Sequence, residues 1–227
     1  MANNLAILFN LEKQYRSSNH LENLFQRVNK YLQSDEGSGI KRSIDNASIS
    51  IEEAFPIMAY SSSQAQNFAS KVLNCSLRNN SQNEFEEYFI RLLDEALLRL
   101  TPYNNNEVYR MVDDFYMDDI ASQIQFFRQS INECFIVNHF LSTSKVNWHN
   151  RMTWKINTNS QNSKARNIES FINHNPNGER EVLFCRGSKF KIQSVQEKSG
   201  YTQVNLIEIS TTSSCKLIFK SQLECSL

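Results

Sequence analysis

Two glutamates one residue apart, Glu179 and Glu181, stand at the mouth of the β-branched and aromatic run Val182-Leu183-Phe184. Side chains two residues apart on a strand share a face, so both carboxylates point one way and Arg180 the other. Two carboxylates held together resist joint ionisation unless a cation or hydroxyl donors lie beside them. Upstream, Arg110 within Val108-Tyr109-Arg110 offers a cation, and Ser142-Thr143-Ser144 after Phe140-Leu141 offers hydroxyls. One carboxylate of such a pair can stabilise a developing positive charge, and the other can activate a weak nucleophile. Each pattern also has an ordinary reading: a surface ion pair, loop polarity, and solvated charge at a strand end.

The elements that position these residues follow a two-part grammar. The first hundred residues read as helical. Apolar residues recur at Leu21, Leu24, Phe25, Val28 and Leu32 behind an N-cap at Asn19 with Glu22. A loop follows at 34–50, the best candidate linker, and then a helix at Ser62–Leu77. A third helix opens on a Ser81/Glu84 capping box and runs through Phe85, Phe89, Leu93 and Leu97 to Thr101-Pro102. After Asn106 the pattern changes to strands at Glu107–Val112, Glu133–Thr143, Met152–Asn157, Arg180–Cys185, Ser188–Gln196 and Tyr201–Ile209, with an edge strand at Cys215–Phe219. A helix at Asp118–Gln129 interrupts them. Helices first and a mostly antiparallel β half second make an α+β fold.

Bulk composition narrows the function classes. At 40% apolar and 11% aromatic the 227 residues can bury a core. The balance of 24 basic and 24 acidic residues argues against a dedicated nucleic-acid binder or a polybasic membrane module. No stretch reaches the roughly 20 apolar residues of a membrane span, and Met1–Leu11 lacks the basic start and small-residue cleavage site of a signal peptide. Five cysteines without a CxxC pair suggest reduced thiols, with Cys134 and Cys185 buried on strands. His20, His139, His149 and His174 lack metal-ligand spacing, and Asp113, Asp114, Asp118 and Asp119 read as a solvated helix start, so no metal is expected. The sequons at Asn46, Asn74 and Asn79 matter only in a secreted, oxidising setting.

In order and context, the three chemical patterns resemble the arginine-type ADP-ribosyltransferases, the R-S-E class that includes bacterial toxins. That family has an Arg on its first strand, a Ser-Thr-Ser on the next and a Glu-x-Glu opening a later strand. The helix ending Ala96-Leu97-Leu98-Arg99-Leu100-Thr101-Pro102 resembles its entry to the first strand, and Glu181 to Phe190 its catalytic strand, turn and following strand. The likeness spans about residues 85–210. It implies a two-sheet β core, with an N-terminal helical portion at 1–80 and a catalytic core at 81–227.

By this resemblance NAD is the substrate and its nicotinamide–ribose bond breaks through an oxocarbenium-like state. Glu181 stabilises that charge and holds a ribose hydroxyl, Ser142 holds Glu181, Thr143 and Ser144 shape the strand end, and Arg110 anchors the dinucleotide. Glu179, where other acceptor classes have glutamine, implies an arginine acceptor, with the segment 171–178 recognising the target protein. Phe171 is then a candidate target contact, with a core aromatic as the competing reading. Met111 stands where many relatives have glycine, and so falls at the nicotinamide-binding position. The stretch from Ser144 to Met152 is short, leaving Trp148 and Arg151 as candidates on that side, and Cys185 replaces a common proline.

The resemblance leaves open an NAD glycohydrolase, in which water replaces arginine, and a non-catalytic NAD- or target-binding module. It also leaves open an immunity protein, chaperone or host activator as partner. The implied location is the cytoplasm, or a target cell reached by signal-peptide-independent export.

Overall fold

The computed structural model describes residues 2–62, 69–112, 120–148, 150–172, 180–210 and 212–218. The chain divides into two compact units: Met1–Thr101 with Ile168–Asn177, and Pro102–Asn167 with Gly178–Leu227.

The first unit is helical: α1 (Ala2–Arg16), α2 (His20–Leu32), α3 (Ser38–Ala47), α4 (Ile51–Ser61), α5 (Ala69–Asn79) and α6 (Glu84–Arg99), with 3-10 turns at Asp35–Gly37 and Glu169–Phe171. α4 is its axis, since every residue from Ala54 to Tyr60 is buried. A helix that is apolar on all sides belongs in a core. Phe55 meets the Phe25 ring edge-on at 5.1 Å and the Phe9 ring at 6.1 Å. Its start is a capping box: Glu53 N donates to Ser50 Oγ at 3.2 Å, and Ser50 N donates to Glu53 Oε2 at 2.8 Å. Such a cap stabilises a helix by about 1 kcal/mol.

Several helical expectations are corrected. Residues 34–50 are no linker: Ile40 and Ile44, four apart, bury the inner side of α3. The glycine that suggested a loop serves a close approach, because a Cβ on Gly37 would run into the Tyr31 carbonyl. The capping box ahead of Phe85 lies two residues later than expected, as Asn83 with Glu86. Asn19 occupies the N-cap of α2 but makes no side-chain cap bond. The helix expected at Ser62–Leu77 appears as α5, with 63–68 outside the described residues. α1 and α4 are helices beyond the individual ones expected.

The second unit holds β1 (Glu107–Val112), α7 (Ile120–Gln129), β2 (Cys134–Val137), β3 (Leu141–Ser144), β4 (Met152–Asn157), β5 (Ala165–Asn167), β6 (Glu181–Phe184), β7 (Ser188–Lys198) and β8 (Tyr201–Ile209). Hydrogen bonds link them in the order β2-β7-β8-β4-β1-β3-β6-β5, antiparallel except for β4 with β8. β1 pairs with β4 over six residues but with β3 at one, Tyr109 opposite Ser144. At that seam the sheet folds over. Phe184 of β6 and Phe190 of β7, far apart in the order, stack edge-on at 5.2 Å. The two-sheet expectation is thus met in packing, while the hydrogen bonds run continuously. Trp154 lies wholly buried within this core, edge-on to Phe127 at 5.4 Å and Phe135 at 5.8 Å.

The run expected as one strand at Glu133–Thr143 is two. β2 pairs with β7 and β3 with β6, so Asn138-His139-Phe140 carries the chain between distant places in the sheet. β5 was unanticipated, and the edge strand at Cys215–Phe219 is reduced to a parallel bridge between Leu217 and Cys134, with Phe219 outside the described residues. The reading of reduced thiols is overturned for one pair. Cys134 and Cys215 form a disulfide, their Cα atoms 6.1 Å apart. Cys185 is a buried free thiol and Cys75 an exposed one.

Glu208 of β8 is buried and accepts three hydrogen bonds, from Asn159 N at 2.8 Å, Ser163 Oγ at 2.6 Å and Lys164 N at 2.6 Å. Lys164 Nζ in turn donates to the carbonyls of Arg186 at 3.0 Å and Gly187 at 3.1 Å. Gly187 has a φ of +70°, which a side chain would strain. This clamp secures the turn that follows β6.

Candidate active site

β1 and β3 meet at the seam, β6 lies on the other side of β3, and alternation sorts their side chains. On β3 and β6, Leu141, Val182 and Phe184 enter the core. Ser142, Ser144 and Glu181 occupy the other phase, with Ser142 opposite Leu183 and Ser144 opposite Glu181. Ser142 and Glu181 are therefore diagonal neighbours on one face, within reach of each other. Ser142 Oγ donates to Glu181 Oε1 at 2.7 Å, the length of a hydroxyl bond to an ionised acceptor. Glu181 is half-buried.

Arg110 sits on β1 between Val108 and Val112, sharing their phase, and opposite Trp154 on β4. Its Nη1 reaches across the seam and donates to the Ser142 carbonyl at 2.8 Å. One residue of β3 thereby joins the other two, accepting from Arg110 through its backbone and donating to Glu181 through its side chain. Three residues singled out from sequence, 32 and 39 positions apart in the two bonds, are brought together.

The other candidates have different surroundings. Thr143 is buried on the core phase and donates to the Val182 carbonyl at 2.6 Å. Ser144 Oγ accepts from Val146 N at 3.0 Å, tightening the turn after β3. Met111 is half-buried opposite Thr153. Trp148 is 40% exposed. Glu179 lies outside the described residues, as do Asp113, Asp114, Asp118, Asp119, His149 and His174. Phe171 is 3% exposed in the helical unit, so the core reading replaces target contact.

Sequence reasoning passed over the groups bordering this cluster. Lys145 N donates to the Arg180 carbonyl at 3.0 Å, extending the β3–β6 ladder, and its Nζ lies 5.4 Å from the centre of the Tyr103 ring. Tyr109, opposite Ser144, donates its hydroxyl to Glu107 Oε2 at 3.2 Å. Burial, and then the Glu107 carboxylate, push the Tyr109 phenol above its ordinary value. Lys155 Nζ, 2.6 Å from Glu107 Oε1, holds that carboxyl below the usual range. The only available signal was strand phase, which puts Tyr109 and Ser144 on one face.

Such an arrangement can hold a carboxylate aimed, which suits charge stabilisation at a substrate carbon. Among the described residues, no helix is long and apolar enough to cross a membrane.

Residues 45–213 match the model of the ADP-ribosyltransferase exoenzyme family. No curated protein matches the chain by sequence. Among solved structures, it is similar to the C3 exoenzyme of Clostridium limosum, with 17% identity and a TM-score of 0.60 over 75% of this chain and 91% of that one. It is also similar to C3stau2 from S. aureus, solved with NAD (17% identity, TM-score 0.59, 78% and 96% covered). Vis, an ADP-ribosyltransferase solved in complex with agmatine, shares the fold at 16% identity and a TM-score of 0.51, with 78% and 87% covered.

Proposed function

The chain belongs to the ADP-ribosyltransferase exoenzyme family, whose members are NAD-dependent mono-ADP-ribosyltransferases, and we propose that it transfers ADP-ribose from NAD to arginine side chains of a target protein. The observation that carries this reading is the linked set Arg110–Ser142–Glu181, with bonds of 2.8 Å and 2.7 Å.

In this reading Glu181 is the catalytic carboxylate. The Ser142 hydroxyl donates to Oε1 and holds the group in one orientation. The carboxylate stabilises positive charge on the ribose as the bond to nicotinamide breaks. Arg110 is the nearby guanidinium for the dinucleotide, and its bond to the Ser142 carbonyl sets the position of β3. The acceptor guanidinium attacks the anomeric carbon, nicotinamide departs, and the proton shed by the acceptor passes to Glu179. A protonated guanidinium, with a pKa above about 12, is a poor nucleophile without such a base. The glutamate two residues before Glu181 supports arginine as the acceptor. So does the guanidinium compound agmatine in Vis, a chain of the same fold.

Incubation with labelled NAD and cell lysate tests the proposal. Wild type is expected to label protein, the label is expected to be released by an arginine-specific hydrolase, and Glu181→Ala and Glu179→Gln are expected to lose it. Free ADP-ribose without labelled protein, abolished by Glu181→Ala alone, would assign water as the acceptor and refute arginine transfer.

A further inference from the structure

Cys134 is the first residue of β2, the edge strand of the sheet, and it is wholly buried. Its disulfide partner Cys215 is half-buried, on a segment outside any helix or strand. Both backbone polar groups of Cys134 go to that segment. Its N–H donates to the Lys216 carbonyl at 3.0 Å, and its carbonyl accepts from Ile218 N at 2.9 Å. Leu217, between them, makes a single parallel bridge to Cys134, whereas β7 and β8 pair at nine positions.

The remaining ties among the described residues are slight. Lys216 Nζ lies 2.5 Å from Glu133 Oε1, but the lysine side chain is 79% exposed, and an ion pair so placed holds little. Lys189 Nζ donates to the Ser213 carbonyl at 2.6 Å. Ile218 is only partly buried against the core, and Leu217 is 42% exposed. Two backbone hydrogen bonds and little buried apolar surface make a short edge segment that opens locally without the rest of the sheet. The covalent bond stands at the residue where both hydrogen bonds meet.

We propose that Cys134–Cys215 is a redox-operated latch: oxidised, it fastens residues 213–218 to the sheet edge, and reduced, it releases them while the sheet stays folded. The family match ends at residue 213, so the latch ties the matched segment to residues beyond it. Its operator is a thiol or dithiol of the kind that poises a reducing compartment. Cys134 is closed to solvent, so attack falls on Cys215. The reductant thiolate bonds to Cys215 Sγ as the S–S bond breaks, and Cys134 leaves with the electron pair and takes a proton. A second reductant thiolate then attacks the reductant sulfur of the mixed disulfide, and Cys215 leaves and is protonated. Two electrons pass to the protein, and the reductant ends as its own disulfide.

The test is limited trypsin digestion of the full chain, read by mass spectrometry before and after dithiothreitol. The Lys216 side chain is open to the protease, so what protects the 216–217 bond is the hold on its backbone. Without reductant, a complete digest is expected to contain the Cys134 and Cys215 peptides cross-linked. Under limiting protease, cleavage after Lys216 is expected to quicken at least about tenfold on reduction, because the segment must leave the edge to be cut. Cleavage after Lys189 and Lys191 in β7 is expected to stay slow in both states. Cys215→Ser is expected to be cut quickly at Lys216 with or without reductant. Absence of the cross-linked pair, equal cleavage after Lys216 in both states, or a reductant effect that persists in Cys215→Ser each overturns the proposal. So does cleavage in β7 that rises together with that at Lys216, which would make the bond a staple for the whole sheet. NAD turnover is not read, so the outcome is independent of the catalytic assignment.

Discussion

The Ser142 hydroxyl reaches the Glu181 carboxylate diagonally across the β3–β6 ladder, at 2.7 Å, because the residue directly opposite Ser142 is Leu183. The diagonal places the donor behind the carboxylate along the strand instead of beside it.

Ser142→Ala removes that donor and leaves Glu181 in place. A hydrogen bond to a charged group is worth about 1.5–3 kcal/mol. NAD cleavage is therefore expected to fall about 10- to 100-fold in kcat, with Ser142→Thr recovering much of the loss. Unchanged turnover in a correctly folded Ser142→Ala, measured by nicotinamide release, would remove Ser142 from the mechanism.

Arg110→Ala strips the Ser142 carbonyl of its donor across the seam. Loss of a charged donor from a part-buried carbonyl costs about 1–3 kcal/mol, which urea unfolding should register as a lower midpoint. Arg110→Lys should restore less than half of it, because an ammonium lacks the planar fork. Equal midpoints for all three proteins would contradict a role for this bond in stability.

Glu12 carries a pH signature in the helical unit. It is buried and accepts from Leu21 N at 2.9 Å. Burial, outweighing that bond, raises its carboxyl above the ordinary value of 4.5. The folded state therefore holds the proton more tightly than the unfolded one. This contribution is greatest below the ordinary value and declines as pH rises through the raised one. Glu12→Gln keeps an oxygen for Leu21 and should flatten that decline, adding on the order of 1 kcal/mol near neutrality. Denaturation curves from pH 4 to 7 that keep the same slope in the variant would count against it.

Cys215→Ser opens a covalent loop of 81 residues between β2 and the 215–218 segment. Loss of a native disulfide typically costs about 2–5 kcal/mol, and a loop this long lies towards the upper end. The Lys189 bond to the Ser213 carbonyl, at 2.6 Å, and the Ile218 contact with the core should loosen together. Reductant is expected to lower the melting temperature of wild type to that of Cys215→Ser and to leave the variant unmoved. Insensitivity of wild type would rule out the bond.

Legibility followed periodicity. β8 alternates half-buried and buried residues along its whole length, and β1, β4 and β8 were readable to the residue. α4 was harder to read: from Ala54 to Tyr60 it is buried on every side, so it shows no alternation of polar and apolar faces, and Pro56 interrupts it, although Ser50 and Glu53 mark its start. The run from Glu133 to Thr143 looked continuous because sequence records β-propensity and not which neighbour each half will find. In the site, the order of arginine, hydroxyls and glutamate was visible, but the link through Ser142 depends on strand register. Pairing of Cys134 with Cys215 had no local signal, since nothing in the residues between them brings the two together.

The seam between β1 and β3 divides the cluster unevenly. Ser142 and Glu181 ride on adjoining strands tied by four successive register pairs, while Arg110 stands on the far side of a single one. Any breathing of the folded sheet at that crease stretches Arg110 from Ser142 and carries Ser142 and Glu181 along as a rigid pair. The aim of the carboxylate thus rests on the β3–β6 ladder, and its distance from the guanidinium rests on the one pair across the crease.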